Sequence, residues 1–127
     1  MPQISTDREL NKLTERVIGI AFKTYNILGA GFSERIYQNL FSELLKEENI
    51  KFVREKWTKL VVCNKNIGGH KVDFLIEDKL VVELKCRSEI YPKDLAQVLN
   101  YLKVNSIKLG LILCFTKNGV KIKRLIL

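Results

Sequence analysis

The chain has little of what marks most small catalytic or metal sites. It holds one histidine, His70, in 127 residues. A zinc site or a Ser/His relay would need parts that are missing. His70, in the turn-like run Gly-Gly-His-Lys, is therefore read as an ordinary loop-edge residue. The three cysteines, Cys63, Cys86 and Cys114, are odd in number, far apart and without C-x-x-C spacing. They are read as buried free thiols, which fits a reducing compartment. No apolar run approaches the roughly 20 residues that span a bilayer. The opening MPQISTDREL is polar where a signal peptide would be basic and then apolar. Repeats, low-complexity tracts and Pro/Ser/Gly-rich linkers are absent as well. These absences predict a soluble, cytoplasmic protein without membrane partners, built as one domain over residues 1–127.

What is present is apolar content, 46%, and basic charge: 22 Lys and Arg against 14 Asp and Glu, a net +8. An excess of that size suits a polyanionic partner, because neutralised phosphates release counterions. A merely solvated basic surface has the same composition.

Thr6-x-x-Glu9 reads as a capping box at a helix start. Leu10, Leu13, Val17, Ile20, Ala21, Tyr25 and Leu28 then recur at helical spacing until Gly29. Ser33 is placed to cap a second helix with the stripe Ile36, Tyr37, Leu40, Phe41, Leu44 and Leu45. Residues 51–63 read as one bent strand or two short ones. Gly68-Gly69 marks a turn or bulge, and Glu77-Asp78-Lys79 a tight turn. Pro92 suits the first position of a third helix, running to about Val104. Leu109 to Phe115 is a continuous apolar strand, and Val120 to Leu127 alternates as a last one. The fold class is α/β (α+β): a central mixed sheet flanked by helices, in the order α-α-β-β-β-α-β-β.

One strand breaks the pattern. In Val81-Val82-Glu83-Leu84-Lys85-Cys86, a carboxylate and an ammonium stand two apart, so they share a face. A turn centred on Asp78 sets Asp73 opposite Glu83. That register gathers Val72, Phe74, Ile76, Val82 and Leu84 on one face, and Asp73, Glu83 and Lys85 on the other. A slip of one residue would separate the acids. Adjacent carboxylates repel, and a divalent cation relieves them; magnesium takes oxygen ligands and keeps waters. Lys85 beside such an ion would orient or deprotonate a water, or steady developing phosphorane charge. The chemistry implied is metal-assisted phosphodiester hydrolysis. Glu83 and Lys85 also read as a solvated strand face with a weak ion pair.

Asp73 followed by Glu83-Leu84-Lys85 resembles the signature of the PD-(D/E)xK nuclease superfamily. Gly31-Phe32-Ser33-Glu34-Arg35-Ile36-Tyr37 is an intact G-x-x-E-x-x-Y, the motif of the small GxxExxY proteins within it. The resemblance runs from about Ile18 to Leu127 and includes Gln97-Val98-Leu99-Asn100-Tyr101. It implies a restriction-endonuclease-like core with the site at a split sheet edge. It implies Mg2+ or Mn2+ held by Asp73, Glu83 and the Leu84 carbonyl, with Glu34 on the preceding helix serving a second ion or its water. Lys85 would be the catalytic lysine. Gln97 and Tyr101 would support the site or meet the nucleic-acid backbone. Val72 stands where the family's proline would be.

Residue by residue, alternatives stay open. Glu34 also suits a helix N-terminus, and Tyr101 also suits packing. Trp57 reads first as core or hairpin packing and second as a base-stacking platform. The activity expected is a metal-dependent nuclease, with DNA preferred to RNA as partner and a homodimer possible for double-strand cutting. A nucleic-acid-binding or interaction module that keeps the fold without the chemistry is the alternative.

Overall fold

The computed structural model describes residues 2–127, with side chains from Asp7 onward. Helices α1 (Pro2–Leu28) and α2 (Glu34–Glu47) come first, then strands β1 (Phe52–Val62), β2 (Lys65–Ile76) and β3 (Leu80–Lys85). Helix α3 (Pro92–Asn105) crosses to β4 (Leu109–Thr116) and β5 (Gly119–Ile126). The sheet runs β1-β2-β3-β4-β5. Only β3 and β4 are parallel, joined through α3; the other pairs are antiparallel. Fold class and element order are those expected. Among the described residues no helix is long and apolar enough to cross a membrane.

The two sheet faces are buried by different helices. Val17, Ile20 and Ala21 of α1 and Phe41, Leu44 and Leu45 of α2 cover Phe74, Ile76, Val82, Leu84, Leu111 and Leu113. Val98, Tyr101 and Leu102 of α3 cover Val72, Leu75, Val81, Ile112 and Leu125 on the reverse. A strand buried on both faces needs apolar residues at every position, and β4 is buried from Leu109 to Thr116.

Several local expectations change. Helix α1 spans Pro2–Leu28, so Thr6 falls inside it rather than at its start; the Thr6 side chain lies outside the described residues. Residues 52–62 form one strand. Its turn is Cys63-Asn64, both in left-handed backbone, the two-residue connection that matches hairpin twist. Gly68 and Gly69 lie within β2, where a register shift opposite Lys59–Val61 makes the bulge. Cys63 is accordingly exposed and Cys86 half-buried; only Cys114 is a buried thiol.

Val72 is the informative correction. It packs on the α3 side while Phe74 packs on the α1–α2 side. The cause is a second irregularity: β1 pairs Arg54 with Phe74 and Lys56 with Val72, skipping Glu55, which has φ +52°. The register is the same on either side of the gap, but left-handed backbone at Glu55 interrupts the ladder there. Asp73, opposite the skipped residue, is freed from the regular ladder.

Candidate active site

The β2–β3 hairpin keeps the expected register: Ile76 with Leu80, Leu75 with Val81, Phe74 with Val82. Backbone pairing stops there, one step before Asp73 and Glu83. Asp73 Oδ2 instead accepts the Leu84 N–H at 2.8 Å. A side chain thus replaces a strand partner, and the sheet splits at this point. The two carboxyl groups share the split, where the Asp73 charge bears on Glu83.

Glu83 is 6% exposed. Its partners in β3 and β4 belong to the α3-side core, which desolvates it. That burial first, and the Asp73 charge second, push its carboxyl up to about 9, against the pull of Lys85. Both causes favour the protonated form of Glu83, because neighbouring anions cannot both ionise cheaply out of water.

Glu34 approaches from α2. Gly31 has φ +101°, a backbone few other residues adopt. The Ser33 hydroxyl caps the helix by accepting the Ile36 N–H. Tyr37 is buried, donates to the Gly29 carbonyl and stacks on Phe115 at 4.7 Å. Glycine, glutamate and tyrosine at this spacing thus fix a loop and aim a carboxylate. Partial burial and Asp73 raise the Glu34 carboxyl; Lys85, Arg87 and the Cys86 N–H pull the other way. Glu34 therefore feels the site's charges while standing at its rim.

Lys85 Nζ lies 4.0 Å from Asp94 Oδ1. Asp94 is 3% exposed, also pairs with Arg87, and accepts the Tyr91 N–H at 2.9 Å. Burial favours its neutral form, but the Tyr91 N–H, Arg87 and Lys85 together hold its carboxyl below the ordinary value. The Arg87 guanidinium in turn lies over the Tyr91 ring, 4.4 Å from its centroid. Sequence reasoning missed both Asp94 and Arg87. Asp94 was legible as an acidic residue in a first helical turn after Pro92. Its pairing with Lys85 depends on where the crossover brings α3.

Gln97 and Tyr101 find their side-chain partners on the β1–β2 hairpin. Gln97 is exposed, with Nε2 3.5 Å from His70 Nδ1. Tyr101 is 3% exposed and its hydroxyl accepts from Thr58 Oγ1 at 3.1 Å. That hairpin therefore covers the second side of α3. Burial and the nearby Lys85 charge lower the His70 imidazole, leaving it neutral. On the other flank, a cleft of about 290 Å3 runs past Gly31, Cys86 and Arg87 to Lys117 and Lys121.

Among the described residues no group of three His, Cys, Asp or Glu side chains forms a ready ion site. The donor set still fits a hard divalent cation. Two carboxyl groups share one split, and the Asp73 charge opposes ionisation of Glu83, a repulsion that a cation would relieve.

A model of the PD-(D/E)XK nuclease superfamily matches residues 11–125. The chain belongs to this superfamily. The chain is also similar in fold to the solved "Crystal structure of SSO0001", at 19% identity and a TM-score of 0.59. That match covers 72% of this chain and 48% of the other, so this chain spans about half the length of that protein. No curated protein matches it.

Proposed function

We infer that this PD-(D/E)XK chain is a divalent-metal-dependent phosphodiester hydrolase acting on nucleic acid, with DNA as the first substrate and magnesium or manganese as the ion. One observation carries the reading: Asp73 and Glu83 share a buried split in the sheet, with the Lys85 ammonium two residues further along β3. Asp73 and Glu83 would hold the ion, with the Leu84 carbonyl between them in sequence as a third ligand. When bound, the ion would polarise the phosphate and activate water as nucleophile.

The chain's own residues account for the rest. Asp73 is oriented by the Leu84 N–H before any ligand arrives. Glu83 would have to release its proton to hold the ion. Lys85 offers a positive charge to the phosphate oxygens, and Asp94 holds it ready. Glu34 is placed to accept a proton at the rim. Gln97 would meet the backbone at the outer edge, and Tyr101 would support α3 from below. Three unpaired thiols agree with a cytoplasmic setting.

The test is cleavage of end-labelled single- and double-stranded DNA and RNA with Mg2+ or Mn2+. The expected result is hydrolysis that EDTA stops and Glu83→Gln abolishes. Binding without cutting, on every substrate and with both ions, would establish the second reading: a nucleic-acid-binding module. That reading is favoured by the position of Glu34 outside the carboxyl pair.

A further inference from the structure

The outer part of the β1–β2 hairpin plays no part in the chemistry above. β3 pairs with β2 only at Phe74–Ile76, so the stretch from Thr58 to His70 runs free of β3. Its two faces differ. Thr58 and His70 turn toward Tyr101 and Gln97 of α3. Trp57, opposite Lys71, and Lys59, opposite Gly69, share the reverse face.

Trp57 is 57% exposed. Large aromatic side chains are highly buried on average, so this exposure is unusual. The ring is nevertheless seated. A Cβ built at Gly69 would overlap the indole, so only glycine lets the ring lie across β2. One side of the indole rests on backbone and the other is left to solvent. The structure thus sharpens the two sequence readings of Trp57: it packs on the hairpin and still presents a free surface.

The charge around it says what fits. Residues 51–71 hold six basic side chains and one acidic, Glu55. Lys71 is paired with Glu55 at 3.6 Å, and Arg54 donates to Asn39 at 3.0 Å. Lys56, Lys59 and Lys65 have no ion pair among the described residues. Lysine is depleted at protein–protein contacts, whereas an aromatic platform among cations is how unpaired bases and their phosphates are held. A duplex keeps its base faces stacked and offers the indole none.

We propose that this face of the hairpin docks single-stranded nucleic acid, with Trp57 stacking on an unpaired base and Lys59 pairing with an adjacent phosphate. The proposal rests on the reading of nucleic acid as the substrate. It extends that reading to the outer part of β2, the strand that also carries Asp73.

Trp57 is the chain's one tryptophan, so its emission reports on this face alone. The experiment is titration with oligothymidylate and with a duplex of equal length, in EDTA and low salt. Binding is followed in parallel by anisotropy of a labelled oligonucleotide. The expected result is quenching by the single strand and tighter binding of it than of the duplex. Trp57→Leu should weaken that binding about 5- to 100-fold. Lys59→Gln should reduce the slope of log K against log salt by about 0.7. Binding that leaves the emission unchanged would overturn the proposal, as would quenching by duplex alone, or emission that changes only with protein concentration. Cleavage with Mg2+, measured separately, isolates the two claims. Quenching without cutting would remove the hydrolase and keep the docking face. Cutting without quenching would do the reverse.

Discussion

Asp73 occupies the place of a strand partner for Leu84, its Oδ2 2.8 Å from the Leu84 amide. The carboxylate is therefore structural as well as chemical, and the two roles separate by substitution. Asp73→Asn keeps an acceptor and should leave stability nearly unchanged. Asp73→Ala strands a buried N–H and should cost about 1–3 kcal/mol in urea unfolding. Both should erase any calorimetric signal of manganese binding.

Glu83 makes stability depend on pH in a definite direction. Its carboxyl titrates near 9 in the fold and at about 4.3 in the unfolded chain. A raised folded value gives stability that is complete below about pH 4.3 and lost as pH rises through 9. Without divalent ions, the melting temperature should fall from pH 5 to pH 9 in the wild type. Glu83→Gln should flatten that limb and melt on the order of 5–10 °C higher at pH 8.

Divalent ions should repair the same defect. At 100 times its dissociation constant, Mn2+ should add about 2.7 kcal/mol to the wild type at pH 8. Glu83→Gln should gain far less. An equal gain in both proteins would place the ion elsewhere.

Asp94 anchors the cations of the site. Asp94→Ala leaves Arg87 and Lys85 without their shared counter-charge and should destabilise by about 3–5 kcal/mol. Asp94→Asn, which can still accept the Tyr91 N–H, should cost less. The lowered carboxyl sets the opposite pH sign to Glu83. Its contribution is present above the ordinary Asp range and lost as pH falls through its folded value. Acid unfolding should therefore begin at higher pH in Asp94→Asn, measured by circular dichroism.

Lys85→Met should lower the cleavage rate by about 10²–10⁴-fold while manganese binding persists. A variant that lost both together would make Lys85 part of the ion site.

The β2–β3 hairpin was legible because its periodicity and its turn pointed to one register, centred on Asp78. The stripes of α1 and α2 and the apolar run of β4 were legible for the same reason. The left-handed backbone at Glu55 was not, since no glycine announces it, and Val72 was assigned to the wrong face. The Lys85–Asp94 contact was hidden because it joins β3 to α3 across a crossover, and periodicity carries no information about such docking. Tyr101 shares a helix face with Gln97, as read, but that face meets Thr58 and His70, which lie far away in sequence.

Strand neighbours in this sheet are sequence neighbours throughout, from β1 to β5. Such ordering keeps most strand closures short, and short closures form early. During synthesis the hairpin bearing Asp73 and Glu83 can zip up as soon as Lys85 has emerged. Both acids are thus made before α3 supplies Asp94, and the crossover helix comes next, as the clasp that gives Lys85 its counter-ion.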